Sequence, residues 1–118
     1  TVVHSLDGYD EISLTSPFKV ASAEGERLMD AAMLGLSSVH ESDLHGGESV
    51  EEASAIFDRV LGGKGSTEQA DCVIANAAFA LKTIEPQMTL DDAVATARES
   101  LESGRALEAF RRFVTLNS

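Results

Sequence analysis

TVVHSLDGYDEISLT (Thr1–Thr15) sets an adjacent acidic pair, Asp10 and Glu11, in a glycine-containing turn between two β-type runs, Thr1 to His4 and Ile12 to Thr15. A third such run, Phe18 to Ala21, follows Pro17. β-Branched and aromatic residues bounded by Gly, Asp, Ser and Pro predict short strands, here within about residues 1–21. Everything after them leans helical. Strands followed by a block of helices could form an α+β domain in its own right. Three short strands leave open edges, so chain preceding Thr1 is expected to supply the rest of the sheet.

Residues 22–47 carry Gly25, Gly35, Ser37, Ser38, Gly46 and Gly47 as breakers and predict a mobile connection with at most short helices. From about 49 to 116 caps and periodicity predict about four helices. Ser49 and Glu52 have capping-box spacing, and Ala53, Ile56, Phe57, Val60 and Leu61 share one face before Gly62 and Gly63 stop the helix. Ser66 and Gln69 open the next. Its stretch Ala70 to Leu81 is apolar nearly all round except for Asp71 and Asn76, which predicts a central helix covered on several sides. Thr89 and Asp92 open a third, with Leu90, Val94, Ala97 and Leu101 on one stripe up to Gly104. A last helix from about Arg105 is expected to turn Leu107, Phe110, Phe113 and Val114 inward, with Arg111 and Arg112 near its C-terminus, where cations suit the dipole.

A length of 118 residues suits one domain, and an apolar fraction of 43% suits a globular one. No apolar run reaches the roughly 18 residues that a membrane span needs. Nine Lys and Arg against twenty Asp and Glu leave a formal charge of −11, which repels nucleic acid and anionic membranes. A free anionic substrate is repelled too, unless a cation intervenes. The single Cys72 has no internal partner for a disulfide; it reads as a small buried hydrophobe in a reducing cytoplasm.

Asp10 and Glu11 are the candidate metal ligands. Magnesium takes oxygen donors, keeps several waters, and is held by one or two carboxylates together with substrate phosphates. Within a regular strand neighbouring side chains point to opposite faces, so gripping one ion requires the turn or bulge that Gly8 makes available. His4, His40 and His45 lack zinc-ligand spacing and are expected to be structural or solvated. Gly46 and Gly47 precede a capped helix, yet Glu48, Glu51 and Glu52 would repel a phosphate there, so the glycines are expected to serve backbone freedom and packing. Asn76 is expected to satisfy neighbouring backbone groups.

Val2-Val-His4, Asp7-Gly8, Asp10-Glu-Ile-Ser13 and Thr15-Ser-Pro17, in that order and spacing, resemble a signature segment of the anthranilate phosphoribosyltransferase family. Leu44-His-Gly-Gly47, Val73-Ile-Ala-Asn-Ala77, Ala97-Arg-Glu-Ser100 and Glu102-Ser-Gly-Arg-Ala106 are similar to its later elements. The resemblance runs along essentially the whole chain but covers about the last third of such an enzyme. It implies the C-terminal part of a large α/β domain resembling that of nucleoside phosphorylases, spanning residues 1–118. Some positions depart from the pattern. Ser5 and Ser16 stand where Gly is common, Phe18 where a small hydroxyl residue is common, Glu52 where Asn is frequent, and Ala31 replaces a Pro.

The resemblance further implies magnesium held by Asp10 and Glu11 on the diphosphate of 5-phosphoribosyl 1-diphosphate, phosphoribosyl transfer to anthranilate in tryptophan biosynthesis, and a homodimer for the intact enzyme. His4 matches a His of the family motif. The family's diphosphate loop and anthranilate contacts belong upstream of Thr1, so these residues alone are expected to be inactive, and no nucleophile or general base is nominated. Two rival readings are a related nucleoside phosphorylase-like enzyme and a non-catalytic helical interaction module.

Overall fold

Phe18 and Val20 are buried while Lys19 between them is exposed, the alternation of a strand with one covered face. The computed structural model describes residues 1–118. In it β1 (Val2–Ser5), β2 (Phe18–Ser22) and β3 (Gly25–Met29) form an antiparallel sheet in the order β1-β2-β3. The register aligns Ser5, Phe18 and Met29 on the inner face, all buried, and His4, Lys19 and Leu28 on the outer face, all exposed.

Two 3-10 turns, Ala31–Leu34 and Glu41–Leu44, lead to four helices: α1 (Val50–Leu61), α2 (Thr67–Ile84), α3 (Leu90–Glu102) and α4 (Arg105–Leu116). Ser66 and Gln69 form a complete capping box on α2, with reciprocal bonds of 3.1 Å. Ser49 and Thr89 each accept from the third backbone N–H of their helix at 3.1 Å. Glu52 turns instead to the backbone N–H of Glu48, at 2.7 Å.

The inner face of the sheet packs on α2. Phe18 and Phe79 meet edge to face with centroids 5.9 Å apart. Ala75, Ala78, Ala93 and Ala97 are all buried, and their small side chains let α2 and α3 pack closely. Arg98 of α3 bonds Asp71 of α2 at 3.1 Å, giving that buried carboxylate its partner. As expected, α2 is the central helix. No helix is long and apolar enough to cross a membrane.

Three expectations give way. Ile12 to Thr15 is not a strand: Leu14 has φ 63°, the left-handed region, and Ile12, Ser13 and Leu14 are buried in succession where a strand would alternate. The connection 22–47 contains a strand, β3, whose sequence Gly-Glu-Arg-Leu-Met shows no alternation because Met29 is its only buried residue. Third, α4 does not bury its apolar stripe. Phe113 is 61% exposed and Val114 47%, and Phe110 makes its aromatic contacts with Phe113 and with Phe57 of α1, itself 48% exposed.

Candidate functional site

The loop joining β1 to β2, residues 6–17, has no strand partner, so its backbone polar groups must be satisfied by other means. Its first turn closes on β1, where Ser5 N–H donates to the Tyr9 carbonyl at 3.0 Å and Gly8 N–H to the Ser5 carbonyl at 3.1 Å. Gly8 has φ 107°, a conformation that side chains disfavour. Beyond the turn, hydroxyl groups take over. Ser5 is fully buried; its Oγ donates to the Glu11 carbonyl at 2.7 Å and accepts from Ser13 N–H and Ser13 Oγ, each at 3.1 Å. Ser13 Oγ lies 2.6 Å from Thr15 Oγ1, which donates to Asp7 at 2.5 Å.

From the opposite side α2 holds the same loop. Asn76 Oδ1 accepts from Ile12 N–H at 3.0 Å, and Asn76 Nδ2 donates to the Ile12 carbonyl and to the Cys72 carbonyl, both at 2.8 Å. Cys72 Sγ donates to the Ser13 carbonyl at 2.9 Å. Burial, reinforced by the charge of Asp71, pushes the Cys72 thiol up to about 11, so it remains a thiol at neutral pH.

Asp10 and Glu11 sit in the middle of this loop, both exposed. Neither carboxylate makes a hydrogen bond or ion pair, whereas those of Asp7, Asp43, Asp71 and Glu99 are each engaged. Glu11 lines a cleft of about 400 Å³ with Tyr9, Ile12, Leu44, Val73 and Asn76; Asp10 lies outside that lining. Desolvation raises the Tyr9 phenol above its ordinary value, and the nearby carboxylates of Glu41 and Asp7 add to the rise. Negative charge is thus concentrated around the loop.

The donor set suits a cation that brings its own remaining ligands. No group of three or more His, Cys, Asp or Glu side chains is arranged to hold a metal ion. A closed zinc cage is therefore not built here, while two free carboxylates in an irregular loop suit magnesium that takes its other oxygens from phosphate and water. The histidines are dispersed: His4 lies on the outer face of β1 opposite Lys19, His40 N–H donates to Asp43, and His45 Nδ1 accepts from Gly47 N–H. Sequence reasoning missed Ser5, Ser13 and Tyr9 as parts of the site. The recurrence of hydroxyl residues at 5, 13, 15 and 16 around the acidic pair was the available signal.

The chain matches the family described as "Glycosyl transferase family, a/b domain" over residues 1–107. Among curated proteins, anthranilate phosphoribosyltransferase of Phocaeicola vulgatus is 50% identical over 99% of this chain and that of Bacteroides fragilis 50% over 98%. The chain spans about a third of their length, 35% in each case. Among solved structures, anthranilate phosphoribosyltransferase from Thermus thermophilus superposes with a TM-score of 0.86 at 31% identity, over 96% of this chain and 34% of that one. The Saccharomyces cerevisiae enzyme in complex with PRPP and Mg shares the fold, with a TM-score of 0.82 at 23% identity over 96% of this chain and 32% of that one. With the family match covering nearly all of its residues, this chain belongs to the glycosyl transferase family, a/b domain.

Proposed function

We propose that residues 1–118 are the C-terminal segment of the catalytic α/β domain of an anthranilate phosphoribosyltransferase, and that Asp10 and Glu11 hold magnesium on the diphosphate of 5-phosphoribosyl 1-diphosphate. The observation that carries this reading is the loop itself: two unengaged carboxylates on a backbone held from both sides, in a chain 50% identical to curated enzymes of that name. When bound, magnesium supplies charge neutralisation to the departing diphosphate as the ribose carbon becomes cationic. The residues of this chain bind and orient. Asp10 and Glu11 provide carboxylate oxygens, Asp7 and Glu41 add to the field that attracts a cation, and no group here is asked to move a proton. Anthranilate contacts and the diphosphate loop are assigned to the remaining two-thirds of such an enzyme, and the assembled protein is a cytoplasmic homodimer. Its unpaired Cys72 is compatible with a reducing compartment.

The test is a chimera in which residues 1–118 replace the corresponding third of a curated relative. Phosphoribosyl transfer that depends on magnesium and falls by about two orders of magnitude or more in Asp10→Asn with Glu11→Gln supports the proposal. Full activity of that double variant refutes the metal assignment.

A further inference from the structure

We infer that Asn76 and Ser5 are positioning residues that aim Glu11 by locking the peptide plane between Glu11 and Ile12; the inference rests on the metal assignment proposed above. That peptide group has its carbonyl bonded by Ser5 Oγ at 2.7 Å and its N–H bonded by Asn76 Oδ1 at 3.0 Å. One partner comes from the sheet and the other from α2.

The Asn76 amide acts as a short stand-in for a neighbouring strand. It accepts from the N–H of Ile12 and donates to the carbonyl of the same residue, at 3.0 and 2.8 Å, the pairing that one residue of an antiparallel ladder would offer. Its second amide proton goes to the Cys72 carbonyl, so both donors and the acceptor are used and only one orientation of the amide satisfies all three partners. Reversed, it would face two carbonyls with an oxygen. Ile12 is 2% exposed, which anchors the far side of the peptide in the core. With the plane fixed at both polar atoms and the next side chain buried, the Cα of Glu11 is held in place, and the freedom of its side chain is cut to rotation about the Cα–C bond and its own side-chain torsions.

A cation site benefits from this because a carboxylate that must be ordered on binding costs affinity, and supporting residues of a metal site are worth roughly 10- to 100-fold in metal affinity. An Ala at 76 keeps α2 intact, since Ala has the highest intrinsic helix propensity. It removes both bonds to Ile12.

The experiment follows Mn2+ as the magnesium surrogate by line broadening of the backbone amides of Tyr9 to Ser13 in the chimera described above, which also carries the diphosphate loop, with 5-phosphoribosyl 1-diphosphate present. Wild type is expected to saturate at the lowest Mn2+ concentration and Glu11→Gln to lose the site. Asn76→Ala is expected to need about tenfold more Mn2+ while amide exchange in α2 and α3 stays as in wild type. A merely structural Asn76 would leave the Mn2+ midpoint where it is. Equal broadening in wild type and Glu11→Gln means that the metal assignment itself fails and takes this inference with it. Loss in Glu11→Gln but wild-type affinity in Asn76→Ala overturns the positioning role alone. Should Asn76→Ala not fold, Ser5→Ala reads the same peptide from its other end: a tenfold rise in the midpoint supports the inference, and an unchanged midpoint overturns it.

Discussion

Ser5→Ala removes one oxygen, and the structure sets what that costs. The Ser5 hydroxyl uses its full complement, one bond donated to the Glu11 carbonyl and two accepted from Ser13. After truncation Ser13 Oγ still has Thr15 Oγ1 at 2.6 Å, and the Glu11 carbonyl belongs to an exposed residue that water can serve. Ser13 N–H has no such recourse, because Ser13 is 5% exposed and Ser5 was its acceptor. An orphaned buried donor costs about 1–3 kcal/mol, and the weakened Glu11 bond adds to it, so the expected loss is about 2–3 kcal/mol. Urea unfolding followed by circular dichroism is the assay; with a slope of roughly 1.5 kcal/mol/M the midpoint should fall by about 1.3–2 M. Ser16→Ala is the control, since both bonds of its Oγ, one accepted from Asp7 N–H and one donated to the Pro17 carbonyl, are exposed to water, and it should cost less than about 0.5 kcal/mol. Equal losses in the two variants would refute the view that the buried hydroxyl organises the loop.

Arg98→Met leaves Asp71, whose side chain is 10% exposed, without its partner. Breaking a fully buried pair costs about 3–5 kcal/mol, but the 38% exposure of Arg98 screens the pair, and about 2 kcal/mol is expected in denaturant titrations, most of it recovered when Asp71→Asn is added. Cys72, with its thiol pushed up to about 11, should react with iodoacetamide at pH 8 roughly a hundredfold more slowly folded than unfolded. The unfolded chain ionises this thiol first, so the stability it contributes is complete below about pH 8.5 and is lost as pH rises towards 11; a reactivity midpoint near 8.5 in the folded chain would contradict the burial argument. Gly47→Ala combines φ 81° with a Cβ 2.7 Å from Glu52 Cβ, and should destabilise the start of α1 by about 1–2 kcal/mol in thermal unfolding.

What the sequence made legible was local. The caps at Ser49, Ser66 and Thr89 place three helix starts because a hydroxyl three residues before its partner N–H needs no tertiary information. The acidic pair was visible for the same reason: it is contiguous. Partners distant in sequence were hidden. Asn76 meets Ile12 across 64 residues, and although a half-buried amide announces a need for partners, nothing in its neighbourhood names them. The strand β3 escaped because an edge strand with a single buried residue carries no period. In α4 the apolar stripe is real as a pattern, but periodicity carries no information on what covers it, and here that face is open.

The most direct test of the central claim is a crystal of the chimera soaked with Mn2+ and 5-phosphoribosyl 1-diphosphate, with the metal located by anomalous scattering. The account predicts a peak at a coordination distance of about 2.0–2.3 Å from carboxylate oxygens of Asp10 and Glu11, bridging to the diphosphate. A metal bound to the diphosphate alone, with both carboxylates turned into solvent, would contradict it.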